Sequence, residues 1–161
     1  MSVTVRPLAP ADLPHLLALV DGLADYERLP RPDAAARARL CRDALREPPP
    51  FHVLLAEVDG RVVGSAIYLF TYSTFLAQPT LYLEDLFVQP EARGRGAGHA
   101  LFRACAAEAI RRGCGRMDWQ VLAWNAPAIA FYERQGATLL DDWRTCRLTG
   151  AALQAAAGGA G

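Results

Sequence analysis

The sequence contains no lysine; its 17 cations are all arginine, and 17 acidic residues balance them to a formal net charge of zero. A zero balance gives no general attraction to nucleic acid or to an anionic membrane, so neither is expected as a partner. The missing lysine also excludes the GxxxxGK[ST] phosphate loop. Cys41, Cys105, Cys114 and Cys146 form no CxxC pair and have no histidine at zinc-finger spacing. They read as free thiols in a reducing cytosol, and no metal is expected. No apolar stretch reaches about 18 residues, and the opening MSVTVRPLAPAD has no apolar run of signal-peptide length. The expectation is a cytoplasmic chain without a membrane span. There is no internal repeat.

What is present is an apolar fraction of 52% in 161 residues, enough to build the core of one domain. Ser2 to Arg6 alternates like a strand. Pro10 and Asp12 suit the start of a helix whose apolar stripe is Leu13, Leu16, Leu17, Val20 and Leu23. Asp33 opens a second helical stretch that Pro48-Pro49-Pro50 stops. Phe51–Val58 and Arg61–Phe70 are β-rich runs joined by Asp59-Gly60, a two-residue hairpin signal. Residues 71–80 read as a loop, and Leu81–Val88 as the next strand. Gly96–Arg112 reads as a helix closed by Gly113, and Met117–Ala123 as a strand. Asn125 caps a helix with Pro127 in its first turn and Gly136 at its end. A last strand is expected at Trp143–Leu148, and residues 150–161 as a frayed tail. This order predicts an α+β domain over residues 1–149, with a mixed, mostly antiparallel sheet flanked by helices on both faces.

The most informative segment is a strand, a glycine-rich turn and a helix start: Leu86-Phe87-Val88-Gln89-Pro90-Glu91-Ala92-Arg93-Gly94-Arg95-Gly96-Ala97-Gly98. A helix start presents unpaired amides and about half a positive charge, and glycines let an anionic ligand approach the backbone. Arg93 and Arg95 add charge at the rim. The dinucleotide pattern GxGxxG fails, because His99 stands at its third glycine. Arg93-x-x-Gly96-x-Gly98 instead fits the R/Q-x-x-G-x-G/A loop of acetyl-CoA enzymes.

With that loop in this order of elements, the chain resembles the GNAT superfamily of N-acetyltransferases. Phe70-Thr71-Tyr72, Leu81-Tyr82-Leu83-Glu84-Asp85-Leu86-Phe87-Val88, Trp124-Asn125-x-Pro127 and Phe131-Tyr132-Glu133-Arg134-Gln135-Gly136-Ala137 are similar to its spermidine/spermine and thialysine acetyltransferase branch. Asp25-Tyr26-Glu27 and Trp143-Arg144 extend the likeness, which runs from about Val3 to Leu148. The resemblance implies acetyl-CoA as cosubstrate. Leu86, Val88 and the amides of Arg93, Gly94, Arg95, Gly96, Ala97 and Gly98 would bind its pantetheine and pyrophosphate. Asn125 would contact the pantetheine arm and Tyr132 would sit by the sulfur. Glu84 and Asp85 would face the amine, and the chain would form a homodimer. Two departures shift the expected acceptor. Ser73-Thr74-Phe75 replaces the Asp-Pro-Trp of the polyamine enzymes, and Asp118 stands where the mammalian-type pattern has histidine. Short amines and lysine-like amino acids therefore rank above spermine.

The chemistry asks for these residue types. An alkylammonium of pKa about 10.4 must lose a proton before it attacks a thioester. Glu84, directly or through water, is the candidate acceptor of that proton. In an extended strand Glu84 and Asp85 point to opposite faces, unless a bulge redirects them. The leaving thiolate needs a proton, which a phenol can donate, and Tyr132 suits the role. Spacing alone favours Tyr132 as a core residue of its helix, and the Phe131-Tyr132 resemblance reverses that reading. Asp25, Glu27 and Asp141 could form an acidic rim or a solvated cluster. Tyr26, Phe75, Trp119 and Trp143 could line the substrate stem, with core packing the favoured reading for the two tryptophans. Three functions compete: a small-molecule amine acetyltransferase acting in a ternary complex, a protein lysine or N-terminal acetyltransferase, and a non-enzymatic acyl-CoA-binding module.

Overall fold

The structure is a computed structural model that describes residues 2–158. Its chain divides into two compact units, Met1–Gln120 and Val121–Gly161. The first unit is built on five strands: β1 (Val3–Pro7), β2 (His52–Val58), β3 (Arg61–Ser73), β4 (Gln78–Val88) and β5 (Arg116–Trp119). They lie side by side in chain order. The first three pairings are antiparallel and β4–β5 is parallel, the two being joined through α3 (Ala97–Arg111). This unit also holds α1 (Leu13–Glu27), entered through a 3-10 turn at Pro10–Asp12, and α2 (Ala34–Ala44), capped by Asp33 onto the Ala36 amide at 2.8 Å. Asp59 and Gly60 both adopt positive φ, 51° and 76°, the hairpin turn that their residue types announce.

Two cores follow from the two-residue period of the strands. On one face α3 presents Ala97, Leu101, Cys105 and Ala109, spaced four apart, to Ala56, Val58, Ala66, Tyr68, Leu81 and Leu83. On the other, Leu16 and Leu19 of α1 meet Val53, Leu55, Ile67 and Phe87. The helices therefore cover both faces of the sheet, as the element order predicts.

β4 changes parity partway along. Leu81 and Leu83 belong to the α3 core, yet further on Leu86 and Val88 pack against that core while Phe87 enters the α1 core. The register explains it: Tyr68 faces Leu83 and the adjacent Ile67 faces Asp85, so Glu84 is an extra residue, a β-bulge.

Four expectations are corrected. Residues 71–80 are mostly strand, because β3 and β4 pair as far as Ser73↔Gln78. Pro79 is tolerated there because its carbonyl takes the Gly115 amide at 3.0 Å, away from β3, so its missing N–H costs the β3–β4 ladder no bond. β5 stops at Trp119, short of Ala123. Residues 143–148 form no strand; they are exposed and join no ladder, and β-propensity needs a neighbouring strand to act on. The second unit instead holds α4 (Ala126–Arg134) and α5 (Gly150–Ala156). The alanine-rich start of the expected frayed tail is thus helical, consistent with its high helix propensity. The end of that tail, residues 159–161, lies outside the described residues.

Candidate active site

β4 runs beyond its neighbour. β5 pairs with Thr80–Leu83 and ends, so among the described residues no strand pairs with Glu84–Val88 on that side. Gln89 donates its amide to Val63 at 2.9 Å, toward β3. Backbone groups alternate in direction along a strand, so Leu86 and Val88 turn theirs the other way, to the open edge. These are the two residues from which the sequence expects pantetheine contacts.

The chain then turns through a 3-10 segment, Pro90–Ala92, into the glycine loop. Gly94 and Gly96 take φ of 75° and 86°, left-handed values that favour glycine. A side chain built on either would meet nothing within 4 Å, so this face of the loop is open. Gly96 is the N-cap of the 15-residue α3, and no side chain caps that end. The first amides of α3 thus remain available, with the positive end of the helix behind them. These features fit a pyrophosphate. Arg95 is exposed. The Arg93 side chain folds back: its Nε donates to the Val88 carbonyl at 3.1 Å, and its Cζ lies 4.8 Å from the centre of the Tyr26 ring.

Asp85 shares the α1 face of β4 with Phe87, and the carboxylates of Glu84 and Glu27 lie near it, three in all. Asp85 is partly buried, and its carboxyl is pushed up to about 6, first by burial and then by the charges of Glu84 and Glu27. Among the described residues none of the three has a cationic partner within ion-pair distance. Glu84, at the bulge, is exposed. The Tyr82 phenol is also held up, by burial and then by Glu84, Asp118 and Asp85. Asp25 does not join this cluster as an uncompensated charge: Arg31 binds it at 2.6 Å and lowers its pKa. Asp118 is paired with Arg116 at 3.0 Å.

The apolar candidates separate. Trp119 stacks edge-on with Phe102, rings 5.4 Å apart, and packs on the α3 core. Phe75 is wholly exposed at the tip of the β3–β4 hairpin. Ser73 closes that tip by accepting the Leu76 amide at 3.2 Å. In the second unit Asn125 caps α4, its side chain accepting from the Ala128 amide at 3.4 Å. Tyr132 follows seven residues later, close to two turns and so on the same helix face; its ring meets Phe131 edge-on at 5.4 Å. Asp141 and Trp143 are exposed. Sequence reasoning missed Gly22 and Phe87. The signal for Gly22 was its place one helical turn before Tyr26.

An acyl-transferase architecture is defined by the open edge of β4, the uncapped α3 and the glycine loop between them. Residues 16–137 match the acetyltransferase (GNAT) family, and the chain belongs to that family and is an N-acetyltransferase. It is 33% identical over 168 aligned positions to a thialysine N-epsilon-acetyltransferase of Sus scrofa, covering 98% of both chains. It is 45% identical over 97 residues to an L-ornithine N5-acetyltransferase of Arabidopsis thaliana, a stretch that spans 60% of this chain and 42% of the plant enzyme. Among solved structures, an integron cassette protein from the mobile metagenome of V. cholerae superposes with a TM-score of 0.80 at 28% identity, covering 98% of each chain.

Proposed function

We propose that this enzyme transfers an acetyl group from acetyl-CoA to the primary amine of a small cationic acceptor, by direct attack in a ternary complex. The observation that carries the reading is the carboxylate cluster of Glu27, Glu84 and Asp85, uncompensated by any cation among the described residues, on the strand that leads into the glycine loop. An acceptor ammonium would supply the missing charge. Relatives named for thialysine and L-ornithine favour an amino acid with a side-chain amine.

Acetyl-CoA supplies the activated acetyl group as a thioester. The open-edge groups of Leu86 and Val88, with Asn125, hold the pantetheine arm. The amides of residues 93–98 and the start of α3 hold the pyrophosphate, with Arg95 adding charge. Asp85 and Glu27 hold the acceptor ammonium, and Tyr26, packed on the α1 face with them, borders its stem. Glu84, exposed on its bulge, takes the ammonium proton directly or through water. The freed amine attacks the thioester carbonyl and the C–S bond breaks; Tyr132 gives a proton to the departing thiolate, and the second proton, shed by the nitrogen as the amide forms, restores the phenol. The working form is a cytoplasmic homodimer.

The test is a CoA-release assay across thialysine, ornithine, short diamines, spermidine, aminoglycosides and lysine-containing peptides. Because the chain has no lysine, no side-chain acetylation of the enzyme itself adds to the signal. Cationic small amines should turn over, amino acids with a side-chain amine best. Turnover confined to neutral or anionic acceptors overturns the reading. A folded Gly96→Asp protein that binds acetyl-CoA with unchanged affinity in calorimetry removes the glycine loop from it.

A further inference from the structure

Gly22 and Tyr26 stand one turn apart on α1 and share a face. A Cβ on Gly22 would lie 2.8 Å from Phe87 Cε1, so its absence lets α1 rest directly on that ring. One turn on, the Tyr26 ring meets the Arg93 guanidinium at 4.8 Å, and the same guanidinium lies 5.8 Å from the Phe87 ring. Its Nε meanwhile holds the Val88 carbonyl at 3.1 Å. A planar guanidinium can donate in its plane and stack through its face at once, which a lysine ammonium cannot do. One side chain thus joins the open end of β4, the entry to the glycine loop and the last turn of α1. That last turn ends in Glu27, whose charge reaches Asp85.

We propose that Arg93 is a positioning residue that couples the cosubstrate loop to the acceptor pocket. Its guanidinium clamps Tyr26, and with it Glu27, beside Asp85. It does so more firmly once a pyrophosphate fixes the loop. The inference rests on the reading above that the loop takes acetyl-CoA and that Glu27 and Asp85 take the amine. Coupling of this kind is reciprocal: cosubstrate tightens acceptor binding, and acceptor tightens cosubstrate binding by the same factor.

Hydrogen exchange on the whole chain tests the clamp without any turnover. Arg93→Met keeps an unbranched stem and removes the planar charge. Amides of residues 23–28 should then exchange at least about fivefold faster, the lower end of ordinary coupling, while the β2–β3 ladder keeps its protection. Tyr26→Leu should give the same local change. The double variant should be no faster than either single one, because both remove one contact. Coenzyme A should slow these amides in the parent and leave them unaltered in Arg93→Met. In kinetics, Arg93→Met should raise the acceptor KM at least about fivefold with kcat within about twofold. Should Arg93→Met loosen the whole sheet, Arg93→Lys keeps the charge without the planar face and must show the same local change. The proposal is overturned if exchange in residues 23–28 is unchanged, or if the two singles add. It is also overturned if coenzyme A affinity falls tenfold with the acceptor KM untouched, which would make Arg93 a phosphate ligand alone. If no amine turns over, the functional reading fails by itself, and the coenzyme A-dependent exchange still decides the clamp.

Discussion

Asp12 and Asp85 stand near opposite ends of α1, and their carboxyls are pushed in opposite directions. Asp12 accepts from Arg6 at 2.6 Å and from the Ala9 amide at 2.8 Å, while the same arginine holds Glu57 at 2.7 Å. The Arg6 bond first, then the Ala9 amide, lowers the Asp12 carboxyl to about 2. Asp85 has neighbours of its own sign and is raised to about 6. One group of charges is closed by the chain that carries it. The other, three carboxylates, has no cation within ion-pair distance among the described residues, and on the proposed reading an acceptor ammonium supplies one.

The largest effect should come from removing the unbalanced charge. Asp85→Asn should lower kcat/KM for a cationic amine about a hundredfold, the loss expected for a charge-assisted hydrogen bond in a partly buried place. The same change should raise the Tm at pH 8 by about 2–6 °C, because it removes a desolvated charge. A variant that loses activity and stability together breaks the contrast with Asp12.

Tyr132→Phe sharpens it from the other side, since no charge is removed. Single-turnover acetyl transfer should fall at least about tenfold, with acetyl-CoA binding little changed and the acidic limb of the pH profile where it was. A rate within twofold of the parent would exclude the phenol as the essential acid.

The pH dependence separates the two carboxyls next. With the Asp85 carboxyl at about 6, kcat/KM for the amine should fall about tenfold between pH 7 and pH 5, as that group gains its proton. Ionised Asp85 opposes folding, and the opposition is complete above about pH 6 and relieved as pH falls toward the unfolded value near 4. Asp12 works with the reverse sign: its stabilisation is complete above about pH 4 and is lost as pH falls toward 2. An activity limb that coincides with unfolding would merge two events that the structure keeps apart.

The smallest effect should be that of Asp12→Asn: a Tm lower by about 2–6 °C at pH 7, with the acceptor KM unmoved. A change in KM here would mean that the Arg6 cluster reaches the acceptor after all.

Much of this was written in local residue choice. The apolar patterns of β1 to β4, the Asp59-Gly60 hairpin and the Asn125 cap each depend on neighbours a few positions away, and each took the expected form. What a distant segment decides was not legible. Residues 71–80 read as a loop until β3 and β4 pair through them as far as Ser73 and Gln78. Residues 143–148 read as a strand until it emerges that no ladder takes them. The site divides the same way: Glu84 and Asp85 were visible as a pair, but which one is sheltered depends on a bulge that only the pairing with β3 shows. The Arg93 clamp on Tyr26 brings together residues 67 positions apart in a 161-residue chain, with nothing in either segment announcing the other.

The bulge has a consequence for the length of the chain rather than its composition. Since Tyr68 and Ile67 face Leu83 and Asp85, striking out Glu84 would leave β4 an uninterrupted strand in unchanged register. Leu81, Leu83, Leu86 and Val88 would keep one core, Phe87 the other, and Asp85 its side of the sheet. Almost anywhere else in a paired strand, losing one residue inverts every side chain beyond the cut. Position 84 is a supernumerary letter for the fold alone: its loss would leave the words on either side in place and take the proposed proton acceptor with it.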